Sequence, residues 1–148
     1  MIILALDLAT NTGWAHSSGI SGVWSLKPKK DESDGIRVIK LGQRIKWVKK
    51  SLGIDLLVYE AARHGGISSR GLVTHAELQG LVKHLSDGLI YQYRGYSPMT
   101  IKKFATGNGR ADKKAMIAAA VKLTGKNVTD DNEADALCLL LLAKQDFP

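Results

Sequence analysis

Three acidic residues stand where an unpaired charge would be costly. Asp7 closes the apolar run Ile2-Ile3-Leu4-Ala5-Leu6, Glu60 closes Leu56-Leu57-Val58-Tyr59, and Asp135 precedes Ala136-Leu137-Cys138-Leu139-Leu140-Leu141-Leu142. A carboxylate at the end of a buried strand is destabilising unless something neutralises or solvates it. At about 100° per residue, Asp131 shares a helix face with Asp135. Asn132 also faces Asp135, whereas Glu133 points elsewhere. Local explanations exist for some of these residues. Asp7 suits a turn that caps nearby N–H groups, and Asp130 and Asp131 suit the start of a helix. Asp135, one turn further in, fits neither role. Taken together, Asp7, Glu60 and Asp135, with Asp131 or Asn132, form a set of hard oxygen donors. Like charges so gathered call for a cation, and oxygen ligands favour Mg²⁺ or Mn²⁺ over zinc. Two such ions, about 3.5–4 Å apart, serve phosphodiester hydrolysis by activating water and stabilising the leaving oxygen.

The elements that must position these residues follow from hydrophobic patterning. Residues 2–7 read as a central strand buried on both faces. Gly13–Ser17 and Ser21–Leu26 read as two further strands, completing an antiparallel meander. After the polar loop Lys27-Pro28-Lys29-Lys30-Asp31-Glu32, Ser33 or Asp34 is placed to cap a helix. Val38, Leu41, Ile45, Val48 and Leu52 form its apolar stripe, and packing on the sheet is the expected fate of that stripe, ahead of a membrane surface. Asp55–Glu60 is a fourth strand. A second amphipathic helix carries Leu78, Leu81, Val82 and Leu85, and Leu89–Tyr93 is read as a fifth strand. Pro98 opens a helix, Thr106–Arg110 is a loop, Asp112–Leu123 is a helix, and the last helix runs from near Asp130 through Ala143. The expected architecture is α/β: a central five-stranded mixed sheet, three antiparallel strands then two parallel, with helices on both faces. Residues 1–148 are expected to form one domain.

Composition narrows the function classes. The 148 residues carry 21 Lys and Arg against 14 Asp and Glu, a net charge of +7, which points to a polyanionic partner. The basic residues cluster, in Lys27-Lys30, in Arg37-Arg44 and in Lys102-Lys114. No apolar run approaches the ~20 residues of a membrane span. Met1 leads directly into the first strand, so no targeting segment is expected, and a cytoplasmic setting follows. The single cysteine, Cys138, is expected to be a buried core thiol. Trp14 and Trp24 are assigned to the core. Histidines 16, 64, 75 and 84 lack zinc-like spacing and are assigned to surface or loop, and Lys49, Lys50 and Lys122 to the solvated surface. Gly107-Asn108-Gly109, before a basic helix start, has the makings of a phosphate-facing turn.

In combination these residues bear a family likeness. Leu4-Ala5-Leu6-Asp7 with Thr12-Gly13-Trp14, Val58-Tyr59-Glu60, the stretch Ile101–Lys114 and Glu133-Ala134-Asp135-Ala136-Leu137 make the chain resemble RuvC-type Holliday-junction resolvases. It is most like the short phage-borne versions, within the ribonuclease H-like superfamily. The likeness runs nearly end to end. It implies a ribonuclease H-like fold and a homodimer that makes paired, symmetric nicks in four-way DNA using two Mg²⁺ ions per site, with Mn²⁺ as a substitute. By match, Asp7, Glu60, Asp135 and Asp131 (or Asn132) would be metal ligands, and Lys102 and Lys113 would sit near the scissile phosphate. Arg63, His64, Lys103, Arg110 and Lys114 would contact DNA, and the helix containing Leu78-Gln79-Gly80-Leu81 resembles the family's dimer helix. The chain departs from the pattern in three places. Leu8-Ala9 replaces the Pro-Gly usual after the first acid. Asn132 occupies the position three before the last Asp, where the family generally has an acid or His. The junction-wedging aromatic of some relatives, near the second acid, is absent.

Two other readings stay open. One is a broader nuclease of the same fold acting on branched DNA or an RNA/DNA hybrid. The other is a nucleic-acid-binding scaffold that lacks a complete metal site, a reading that Asn132 keeps alive.

Overall fold

A computed structural model describes residues 1–61, 69–89 and 91–148. Five strands, β1 (Ile3–Asp7), β2 (Asn11–His16), β3 (Ser21–Ser25), β4 (Leu56–Glu60) and β5 (Gln92–Tyr96), form one sheet in the order β3-β2-β1-β4-β5. β1, β2 and β3 pair antiparallel, whereas β4 runs parallel to both β1 and β5. This is the mixed sheet expected from the sequence. The helices are α1 (Ile36–Ser51), α2 (Ser69–Leu89), α3 (Pro98–Thr106), α4 (Lys113–Thr124) and α5 (Asp131–Asp146).

Strand alternation splits the apolar residues between two cores. Leu4, Leu6 and Leu57 point to the side covered by α1 and α2, where Leu41, Ile45, Val48, Leu78 and Val82 are buried. Ile3, Ala5, Leu56 and Val58 point to the other side, against Ile101, Met116, Ala120 and the apolar length of α5. Each side of the sheet thus excludes water, which is why β1 and β4 read as continuous apolar runs. Trp14 and Trp24 stack with ring centroids 4.9 Å apart and are buried, as is Cys138, whose thiol is pushed up to about 12 chiefly by burial. The apolar stripe of α1 packs on the sheet, and Leu78 and Leu81 both turn inward towards the same core.

Several local expectations are corrected. β5 begins at Gln92 and not at Leu89, because α2 continues through Leu89. Buried Tyr91 then anchors the change of direction, its hydroxyl donating to Val82 O at 2.5 Å. α1 starts at Ile36 after Gly35 with no side-chain cap. The carbonyls of Ser33, Asp34 and Gly35 accept from the N–H groups of Ile36, Arg37 and Val38 instead. His16 and His75 are buried and not at the surface. His16 bridges Ser18 Oγ (2.8 Å) and Gly53 O (3.1 Å), tying β2 to the turn after α1. Burial holds the His75 imidazole below its usual range, favouring the neutral form. Lys49 is half-buried and donates to Ile54 O at 2.6 Å. Arg63 and His64 lie outside the described residues.

Candidate active site

Parallel pairing brings the first two acids together. The β1–β4 register ends at Leu6 opposite Tyr59, so the next residues, Asp7 and Glu60, stand side by side on neighbouring strands about 4.8 Å apart. Alternation also sets their direction. Asp7 has the parity of Ile3 and Ala5, and Glu60 that of Leu56 and Val58, all of which face α5. Both carboxylates therefore project to the α5 side at the C-terminal edge of the sheet.

α5 supplies the remaining acids from above. Its N-cap is Asp130, whose carboxylate accepts from Asn132 N (2.8 Å) and Glu133 N (3.2 Å). With Asp130 occupied in capping, Asp131 and Asp135 are left one turn apart on the same helical face. Glu133 does point elsewhere, accepting from Ser21 Oγ at 2.7 Å. One residue decides how closely α5 approaches. Gly13 lies opposite Asp7 in the β1–β2 ladder, and a Cβ there would sit 1.8 Å from Asn132 O and 2.2 Å from Asn132 C. Only glycine lets the first turn of α5 rest on β2. The Thr12-Gly13-Trp14 triplet contains this residue, but nothing in a single sequence distinguishes it from a turn glycine.

The electrostatics are those of an under-neutralised cluster. Asp7 is held well above the usual carboxylate range, first by burial and then by the negative charge of Glu60, Asp135, Asp131 and Asp130. Asp135 is pushed up to about 7 by burial, Glu60 and Asp131, with Lys102 and Lys113 opposing. Glu60 is raised by burial, with Lys102 opposing. Lys113 Nζ stands 3.4 Å from Asp131 Oδ2, in an ion pair whose lysine is 82% exposed. Exposed pairs of this kind contribute little stability. Among the described residues, buried Asp135 Oδ1 has no hydrogen-bond partner, a costly condition for an acceptor.

These acids lie within electrostatic reach of one another. Among the described residues, however, no three acidic, histidine or cysteine side chains are gathered closely enough to hold an ion as they stand. The donor chemistry fits a hard divalent cation: oxygen atoms only, negative charge in excess, and an orphaned buried oxygen on Asp135.

The stability of the protein without metal should therefore fall as pH rises. Asp135 binds its proton more tightly folded than unfolded, so the folded state holds more protons between the unfolded value near 3.8 and the folded value of about 7. Its contribution is complete below that window and lost across it, with Asp7 and Glu60 acting in the same sense. Thermal melts in chelator from pH 4 to pH 8 should show the decline, and Asp135→Asn should flatten it. A melting temperature that rises across this interval would contradict the burial of these carboxyls.

The basic residues near the acids have distinct placements. Lys102 is half-buried, while Lys103, Arg110, Lys113 and Lys114 are exposed. Several N–H groups of the Gly107–Gly109 loop are taken up within the loop itself. The N–H groups of Asn108, Arg110 and Ala111 donate to Thr106 Oγ1, Asn108 Oδ1 and Asn108 O, and Asp112 caps α4 by accepting from Ala115 N. Gly107 is instead the left-handed residue, at φ 80°, that ends α3.

Comparison with known proteins bears on this arrangement. No family model matches the chain. A crossover junction endodeoxyribonuclease RuvC of Brachyspira hyodysenteriae is 38% identical over 50 residues, a stretch spanning 34% of this chain and 31% of the relative. The structure of Thermus thermophilus RuvC in complex with a Holliday junction substrate superposes with a TM-score of 0.80, at 17% identity over 99% of this chain and 96% of that one. A second structure of RuvC from Thermus thermophilus gives a TM-score of 0.72, at 17% identity over 99% of this chain and 97% of that one. The yeast mitochondrial Holliday junction resolvase gives 0.63, at 12% identity over 93% of this chain and 75% of that one. These likenesses establish the fold, which is that of RuvC within the ribonuclease H-like class.

Proposed function

We propose that this chain of RuvC fold is a metal-dependent, structure-selective endonuclease that resolves four-way DNA junctions by paired nicks. The observation that carries the reading is the placement of Asp7 and Glu60 side by side beneath the Asp131–Asp135 face of α5, in a fold shared with junction resolvases. Asp7, Glu60, Asp135 and Asp131 would hold Mg²⁺, or Mn²⁺ in its place, two ions per site. Asp131 is favoured over Asn132 because its charge acts on both Asp7 and Asp135. When bound, such ions activate a water and stabilise the departing oxygen.

The chain's own groups orient the reactants. Lys102, whose charge opposes the upward shifts of Glu60 and Asp135, favours their ionised forms. Lys113 steadies Asp131 from the solvent side and, being exposed, is free to meet a phosphate. Lys103, Arg110 and Lys114 extend the cationic rim along which the DNA backbone lies. Symmetric nicking of a four-way substrate calls for two such sites, hence a homodimer. Among the described residues no helix is long and apolar enough to cross a membrane.

The deciding experiment is junction cleavage with and without Mg²⁺ for the parent and Glu60→Gln. Cleavage should require metal and fall about 1000-fold in the variant, the equivalent of several kcal/mol of transition-state stabilisation. Parental rates in the variant would remove Glu60 from the ligand set. Lys113→Ala should slow cleavage about tenfold and reduce the salt slope of junction binding by about 0.9. An unchanged slope would place Lys113 away from DNA.

A scaffold without catalysis is the second reading, favoured by Asn132 and by carboxylates that are not drawn together. Calorimetric titration with Mn²⁺, on the free protein and on its junction complex, separates the two. Heat of binding with cleavage supports the nuclease, and none in either state supports the scaffold.

A further inference from the structure

α1 carries Arg37, Lys40, Arg44, Lys46, Lys49 and Lys50 and no acidic residue, in a chain whose net charge is +7. Some of these cations are engaged. Arg37 Nε donates to Thr10 Oγ1 at 3.1 Å, Lys40 Nζ to Lys27 O at 2.9 Å, and Lys49 to Ile54 O. Arg44, Lys46 and Lys50 are exposed. Between them the helix shows two large apolar side chains to solvent, Ile39 at 56% exposure and Trp47 at 53%. At about 100° per residue, Ile39, Gln43, Trp47 and Lys50 form one outward stripe, with Arg44 along one edge and Lys46 along the other.

We infer that this outward stripe of α1 is a binding surface for single-stranded DNA. An exposed indole set among cations has the two parts that such binding needs. The ring offers a face for an unpaired base, and the cations take the flanking phosphates. Paired bases in a duplex are stacked on one another and leave no face for the indole, so a purely duplex ligand does not account for Trp47. A lipid surface is disfavoured because an interfacial helix inserts a broad apolar face. In α1 that face, with Leu41, Ile45 and Val48, is buried against the sheet.

The stripe lies on the side of the sheet opposite the acid cluster and is a separate surface. The Arg37–Thr10 bond ties the start of α1 to the turn just beyond Asp7, and the helix then runs back along the side of the sheet opposite α5. The choice of DNA as the polyanion rests on the proposed function, but binding at this stripe needs no cleavage.

The test uses the full chain in chelator, where metal-dependent cleavage is absent. Trp14 and Trp24 are buried in a stacked pair, so a change in tryptophan emission on adding oligo(dT) reports Trp47. Oligo(dT) should quench emission. Trp47→Ala should abolish the quench and weaken binding about tenfold, with the melting temperature unchanged. Lys46→Ala and Lys50→Ala should each lower the salt slope by about 0.7. Blunt-armed junctions should be cut by Trp47→Ala at the parental rate in Mg²⁺. Equal oligo(dT) affinity in the parent and Trp47→Ala would overturn the inference. So would an emission change produced by phosphatidylserine vesicles and not by oligo(dT). A parent that fails to cut junctions yet shows the Trp47-dependent quench would sink the nuclease reading and leave this surface standing.

Discussion

Asp7→Asn should silence junction cleavage and, at the same time, make the metal-free protein harder to melt. The two effects have one origin. Asp7 is buried at the end of β1, beside Glu60 and below Asp131 and Asp135, and each of these raises its affinity for a proton. Above neutral pH the ionised form is therefore a strained component of the folded state, and a neutral amide of the same shape relieves it. At pH 8 the gain should be about 1–3 kcal/mol, and at about 2–4 °C per kcal/mol for a chain of this size the melting temperature should rise by several degrees. As pH falls and Asp7 takes up its proton in the parent, the gain should shrink. With Mg²⁺ present the order should narrow or reverse. A ligand at 100 times its dissociation constant adds about 2.7 kcal/mol to the parent, and the variant should lack much of that. Cleavage should fall about 1000-fold or more. A variant that is less stable than the parent in chelator at pH 8 would mean that Asp7 is satisfied by some other partner. One that still cuts would mean that the chemistry is elsewhere.

Gly13→Ala should be nearly as damaging without touching a charge. The added methyl would meet Asn132 O, Asn132 C and Glu133 N at 1.8, 2.2 and 2.9 Å, all of them backbone atoms in the first turn of α5. No side chain is available to rotate away, so either α5 lifts off β2 or the strand bends. Overpacking of this kind costs about 3 kcal/mol, to be read as a lower urea midpoint with an unchanged slope. A shift of about 1 Å in Asp131 and Asp135 should also reduce cleavage about 100-fold in whatever fraction remains folded. Gly88→Ala is the control, since a Cβ there meets nothing within 4 Å. Equal stability of Gly13→Ala and the parent would mean that α5 does not approach β2 as described.

The contrast between these two positions shows what could be read in advance. Asp7 announces itself because a carboxylate ending an apolar strand violates local expectation, and the same holds for Glu60 and Asp135. Gly13 violates nothing: a glycine opening the strand read over Gly13–Ser17 is ordinary. Its importance exists only once α5, more than a hundred residues later, is laid across it. The burial of His16 and His75 is illegible in the sequence for a related reason. A histidine is equally at home in water and in a bonded interior site, and only the neighbours decide.

Local patterning determined the strands β1 to β4, the helices, and the burial of Trp14, Trp24 and Cys138, because hydrophobic period and burial are properties of neighbouring residues. It also marked the three acids as anomalous. What required the tertiary structure was everything set by contact at a distance. The parallel register sets Asp7 beside Glu60, the approach of α5 over Gly13 brings in Asp131 and Asp135, and Tyr91 fixes the start of β5. The Gly107–Gly109 loop belongs with these, since whether its N–H groups face a ligand depends on acceptors that only the folded loop supplies. Periodicity states which face a residue occupies; which other face meets it is decided by packing alone.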